Sequence, residues 1–192
     1  TKIGTITNCT IHGEAGYALQ AMSLIEKVED SVLTSGDSAV IQLSAAGSNA
    51  NPELRCLKET TVTASKGDAI HVYGGAEGTI ESGNYQAGPG KLAIADKAMA
   101  GSTVAVTITG GTFSSDVSEY LPEGLGQDAN GTVGKVEEGF AAVRIGDTYY
   151  QTLAKAIATA KENDTLTLLR DVDLGSDRVT VNKAVTLDLN GC

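Results

Sequence analysis

Two histidines, three cysteines and a few paired acids are the residues in this chain best suited to nucleophilic, acid–base or metal chemistry. His12 and His71 lie far apart in sequence and outside any metal-ligand or Ser-His-Asp pattern, so neither a histidine metal centre nor a triad is indicated. His12 reads as a solvent-facing strand residue. Asp37 and Asp68 each follow a glycine at roughly matching points of two repeats. Stacked, they would resemble the two carboxyls, about 5 to 10 Å apart, that glycoside hydrolysis needs. Gly-Asp is also ordinary turn chemistry, and that reading prevails. Glu137-Glu138 beside Gly139, and Asp171 with Asp173, offer oxygens to Ca²⁺. Neither group follows the twelve-residue calcium-loop pattern, and a solvated acidic surface is the simpler account. No catalytic residue, metal ligand or cofactor is therefore assigned.

Cys9, Cys56 and Cys192 show neither CxxC spacing nor the density of a disulfide scaffold. Cys9 adjoins an apolar column and is expected on its inward side, where a thiol behaves as a small apolar residue. Gly74-Gly75 and Gly110-Gly111 lack the strand-loop-helix context of a phosphate cradle. A net charge of −10 argues against nucleic acid, whose binding depends on clustered Lys and Arg. There is no apolar run of about 18 residues and no basic-then-apolar start, so this segment does not insert into a membrane and any export signal lies elsewhere. The text opens strand-like and stops just after a strand-like run, which reads as a piece of a longer protein.

The elements that must position these residues are mostly strands. Aromatic residues make up only 4% and Trp is absent, while Thr, Val, Ile, Ala and Gly recur, which favours thin β structure over a helical bundle. Thr10-Ile11, Val32-Leu33, Thr61-Val62, Thr79-Ile80 and Thr107-Ile108 fall into one column, with irregular periods like those of a solenoid carrying loop insertions. Eight positions on, a second apolar run begins three times, at Ala18-Leu19, Val40-Ile41 and Ala69-Ile70. Period-two alternation points Ile11, Leu33, Val62, Ile80 and Ile108 inward, together with Leu19, Ile41 and Ile70. Turn glycines follow the first column at Gly13, Gly36, Gly67, Gly83 and Gly110-Gly111. Gln20, Gln42 and His71 then share one outward position of the second column, a polar ladder with about 4.8 Å between coils, and they are the candidate ligand-binding residues.

Ser44 to Arg55 and Gln86 to Gly90 read as loops. Residues 1–113 are expected to form parallel β-helix coils, and 114–135 a short helix or turn and linker. In that second segment Ser114 or Ser115 is the expected helix N-cap and Asn130-Gly131 a turn. Residues 136–192 read as a hairpin–helix–strand module: a hairpin from Phe140 through Gly146-Asp147 to Tyr150, an amphipathic helix over Gln151–Lys161, and strands at Thr165–Leu169, Arg178–Val181 and Ala184–Leu189.

GGTFSSDVSEYLPEG with QDANGTV, and GDTYYQTLAKAIATAKENDTLTLLRDVDL with VTVNKAVTLDLNG, resemble paired segments of large repeat-containing surface proteins of Gram-positive gut bacteria. The resemblance covers about Thr107 to Gly191. It implies a right-handed parallel β-helix of the pectin-lyase-like kind, with the second segment similar to the N-terminal cap of a further β-helix. Such proteins usually carry a basic residue after LDLNG, whereas this chain has Cys192. The resemblance implies a bacterial secreted or cell-surface location. Two function classes follow: a structural or adhesive segment presenting a β-helical face and loops to a host protein, glycan or other polysaccharide, and a carbohydrate-active lyase or hydrolase on the same scaffold. The first is favoured, because the outward columns hold mostly Thr, Gln and Ala rather than converging acids and bases. Thr1 to Cys9 at one end and Thr186 to Leu189 at the other offer uncovered strands, so end-to-end self-association is also expected.

Overall fold

The computed structural model describes residues 3–44, 52–97, 103–137, 141–174 and 178–192. Glu138, Gly139 and Phe140, and most of the loop after Ser44, lie outside the described residues. The chain divides into two compact units, Thr1–Pro122 with Ala129–Val133, and Glu123–Asp128 with Gly134–Cys192.

The first unit is a β-solenoid. Its first coil holds β1 (Ile3–Thr7), β2 (Thr10–Gly13) and β3 (Leu19–Ala21), and its second β4 (Leu24–Glu29), β5 (Val32–Ser35) and β6 (Ile41–Leu43). The third is β7 (Glu53–Lys58), β8 (Thr60–Ala64) and β9 (Ile70–Val72), and the fourth β10 (Glu77–Ile80), β11 (Gly83–Gln86) and β12 (Ile94–Asp96). A fifth coil contributes β13 (Ala105–Ile108) and β14 (Gly111–Phe113). Strands stack in parallel as three walls: β1-β4-β7-β10-β13, β2-β5-β8-β11-β14, and β3-β6-β9-β12. Every described strand is short because each wall is only one residue run wide before the chain must turn.

The core lies between the walls, where alternation places Val28, Leu33, Ile41, Leu57, Val62, Ile70, Val72 and Ile108 almost wholly out of water. Each such side chain contributes on the order of 1.5–3 kcal/mol. Tyr85 and Phe113 stack with ring centres 4.7 Å apart and fill the core of the last coils.

Parallel register confirms part of the sequence column and corrects the rest. Ile11, Leu33 and Val62 do align, as do Leu19, Ile41 and Ile70. Thr79-Ile80 and Thr107-Ile108, however, belong to the first wall, beside Leu57 of β7, and the second wall continues instead through Asn84-Tyr85 and Thr112-Phe113. A Thr-Ile pair alternates equally well in either wall, so the dipeptide alone does not specify which.

The corners also differ from expectation. Gly36 and Gly67 do not have positive φ. They are required by close approach: a Cβ at Gly67 would sit 2.2 Å from the Ser38 carbonyl oxygen. Left-handed corners in the first three coils fall on Asn8, Asp30 and Glu59, and pass to Gly83 and Gly111 in the last two.

After β14 the expected helix N-cap does not form. A 3₁₀ turn spans Ser118–Tyr120 behind Val117, and Asp116 Oδ1 accepts from the Ser118 amide. Ser114 and Ser115 instead accept from the amides of Ala87 and Ala93, satisfying backbone donors of the fourth coil. β15 (Leu125–Gln127) and β16 (Thr132–Lys135) follow, and Thr132 and Val133 pair antiparallel with Thr112 and Gly111.

In the second unit β17 (Val143–Ile145) and β18 (Thr148–Tyr150) form the expected hairpin around Gly146, whose φ is +57°. The helix α1 (Leu153–Thr159) is shorter than the sequence suggested, because Thr152 Oγ1 caps it by accepting from the Lys155 amide. β19 (Thr165–Leu168) and β20 (Thr186–Asp188) pair in parallel within this unit. Arg178–Val181, read as a strand, is not one. Lys183 between them donates to the carbonyls of Ala158 and Ala160 at 2.9 and 2.7 Å, closing the end of α1. Ala142, Val143, Ala156, Ile157, Ala160, Leu166 and Leu168 form this unit's core.

Candidate functional site

The third wall, β3-β6-β9-β12, brings the predicted ladder together. Gln20, Gln42 and His71 stand at directly opposed positions of adjacent strands, and Ala95 completes the row in the fourth coil. Alternation puts them on the face of the wall opposite Leu19, Ile41, Ile70 and Ile94, and on that face Gln42 and Ala95 are nevertheless buried. Two residues further on, the same face carries Met22, Ser44, Tyr73 and Lys97.

The three ladder members differ in environment. Gln20 is exposed, Gln42 is 9% exposed, and the His71 side chain is 17% exposed. The Gln42 amide nitrogen donates to Ser44 Oγ at 2.8 Å, and Oε1 is buried with no hydrogen-bond partner. His71 Nε2 lies 2.8 Å from Asp68 Oδ2, while its Nδ1 is likewise buried and unpartnered. Tyr17, from just before β3, and Tyr73, from the end of β9, each meet the His71 ring edge-on with centroids 6.3 Å apart. Tyr17 belongs to the first coil and His71 to the third, so the tyrosine runs along the solenoid axis past the second coil.

Asp68 anchors the histidine. Its other oxygen accepts from the Leu92 amide at 2.8 Å, and Lys97 Nζ stands 3.4 Å from Oδ2. Burial resists its ionisation, yet the Leu92 amide, His71 and Lys97 outweigh that and hold the carboxyl below the usual range.

The two carboxyls considered from sequence each have another partner: Asp37 makes an exposed ion pair with Lys66, and Asp68 pairs with His71. Cys9 is exposed rather than inward, with Sγ 3.2 Å from the Thr7 carbonyl oxygen. His12 is exposed as expected and bonds Thr34 Oγ1 on the next coil at 2.7 Å. Asp171 and Asp173 line an 840 Å³ groove of the second unit together with Arg170 and Arg178. Among the described residues no three of His, Cys, Asp and Glu gather in a way that could hold a metal ion. No described helix is long and apolar enough to cross a membrane.

Sequence reasoning missed Tyr17, Asp68 and Tyr73 as parts of the site. The signal was present: Tyr73 follows His71 by two, the same-face spacing of a strand, and Tyr17 precedes Gln20 by the same three residues that separate Asp68 from His71.

No protein family, curated protein or solved structure matches this chain. Fold and site therefore rest on the geometry just described.

Proposed function

We propose that this chain is a non-enzymatic binding module of a secreted or cell-surface bacterial protein, presenting the outer face of its third wall to an extended polymer. The observation that carries this reading is the aligned row Gln20–Gln42–His71, in which two adjacent members hold buried acceptors without partners beside two tyrosine rings. A row of polar groups repeating once per coil suits a ligand that itself repeats, and tyrosines combine a flat apolar face with a polar tip. The solenoid supports such a row on strands rather than on loops, so its spacing is fixed before the ligand arrives.

The test is a binding screen of the intact chain against plant, microbial and host polysaccharides and host surface proteins. The triple variant Gln20→Ala, Gln42→Ala, His71→Ala is compared on every hit. Loss of binding in the folded triple variant supports the reading. Unchanged affinity removes the ladder as the site, and depolymerisation of a polysaccharide that stops in Asp68→Ala replaces the binding module with an enzyme.

A further inference from the structure

We infer that the third wall reads hydroxyl donors, and that its ligand is a neutral, hydroxyl-rich polysaccharide rather than an anionic or cationic one. This rests on the binding reading above and names the chemistry of the ligand.

The argument begins with protons. An ionised carboxylate only accepts hydrogen bonds, so Asp68 takes one from the Leu92 amide and one from His71 Nε2. In its neutral form the imidazole that donates from Nε2 leaves Nδ1 as an acceptor. Ser44 Oγ engages the amide nitrogen of Gln42, which turns Oε1 into the free end of that side chain. Two acceptors, both buried and both without partners, therefore sit on adjacent strands whose backbones run about 4.8 Å apart. A ligand that reaches them, with the neighbouring side chains shifting to admit it, must bring donors, as the hydroxyls of a sugar ring do.

Charge narrows the class. A carboxylate or sulfate brings no donor, and it would meet two lone pairs and the Asp68 carboxylate in a chain of net charge −10. A cationic polymer brings donors, but Lys97 already stands 3.4 Å from Asp68 and repels a second positive group. A neutral hydroxyl satisfies both acceptors without either penalty. Tyr17 and Tyr73 flank the histidine and supply faces against which the C–H side of a sugar ring packs.

The experiment measures binding of the intact chain, by calorimetry and affinity electrophoresis, to a soluble galactomannan, to polygalacturonate and to chitosan oligosaccharides. The galactomannan is expected to bind best. Gln42→Met and His71→Phe each remove one acceptor while keeping size, and each is expected to weaken that binding roughly fivefold or more. Thermal melts establish that the variants are folded. If Gln42→Met unfolds the chain, His71→Phe carries the test alone. Preference for the anionic or the cationic polymer, or full galactomannan affinity in the folded variants, overturns the hydroxyl reading and leaves the binding module standing. Absence of binding to all three also overturns the hydroxyl reading, and the wider screen above then decides the binding module.

Discussion

Gln42 and His71 face each other across adjacent parallel strands, and each keeps one acceptor buried without a partner. A buried acceptor left unpaired costs about 1–3 kcal/mol, a cost that a folded protein can remove by placing an apolar residue there. Under the binding role proposed above, two of them side by side give up stability for recognition.

The first prediction follows from that trade. Gln42→Met removes the orphan oxygen and keeps the volume, and Ser44, its one hydrogen-bond partner, is only partly buried and can turn to water. Urea unfolding is expected to show the variant as stable as the parent or up to about 1 kcal/mol more stable, while ligand binding falls. A loss of more than about 1 kcal/mol would mean that the amide holds the fold rather than a ligand.

Asp68→Asn tests the anchor through pH. The folded carboxyl titrates below its unfolded value, so its contribution is present above the ordinary carboxylate pKa of about 4 and is lost as pH falls through the lower folded value. The variant is expected to be less stable at neutral pH and to show a shallower loss of stability on acidification. Parallel acid limbs for the two proteins would show that Asp68 is not selectively stabilised as the anion.

Gly67→Ala is expected to be severe. The added methyl would meet the Ser38 carbonyl oxygen and carbon at 2.2 and 2.3 Å, and these are backbone atoms of the coil beneath, unable to swing away. Coil separation must open locally, and a loss of about 3 kcal/mol or more is anticipated, in the range of overpacked cores. Gly16→Ala serves as the control, since nothing lies within 4 Å of a Cβ there. Equal melting temperatures for the two variants would sink the close-approach account.

Much of the solenoid was legible from sequence because a parallel coil imposes its own arithmetic. Period-two alternation and a constant offset between Leu33 and Ile41, or Val62 and Ile70, fixed two of the walls and the Gln20–Gln42–His71 row. The first wall, where Val28, Leu57 and Ile80 align, was not separated from the second, because Thr-Ile runs suit both. Side-chain reach was less legible still. Sequence places Tyr17 two coils from His71, and only the course of the side chain along the axis brings the rings together.

The corners were hidden for a different reason. Glu59 adopts φ +47° on an exposed surface, although Glu has no short side chain to offset the strain of that conformation. Its amide is held by Ser82 Oγ at 2.9 Å, so the coil above imposes the bend. Glu59→Asn is expected to raise stability by about 0.5–1 kcal/mol, because Asn enters the left-handed region more readily. No gain, or a loss, in thermal and urea melts would show that the corner carries no strain to relieve.

The last prediction concerns the second unit's open edge. β20 pairs with β19 on one side only, so its other edge offers unpaired amides and carbonyls among the described residues. Leu187 and Leu189 on and beside it are 46% and 53% exposed. An exposed strand edge bearing apolar side chains is a template for another strand, and natural sheets usually blunt such edges with charge. Light scattering across a wide concentration range is therefore expected to show weight-average mass rising with concentration. Reducing conditions are needed, because Cys192 is also exposed and would otherwise add disulfide dimers. Leu187→Lys places a charge on the edge beside its register partner Leu166 and, once thermal melts show the variant folded, should return the chain to a constant mass. A monomeric mass throughout for the parent chain would show that this edge does not recruit a second copy, and a rise that persists in Leu187→Lys would move the contact elsewhere.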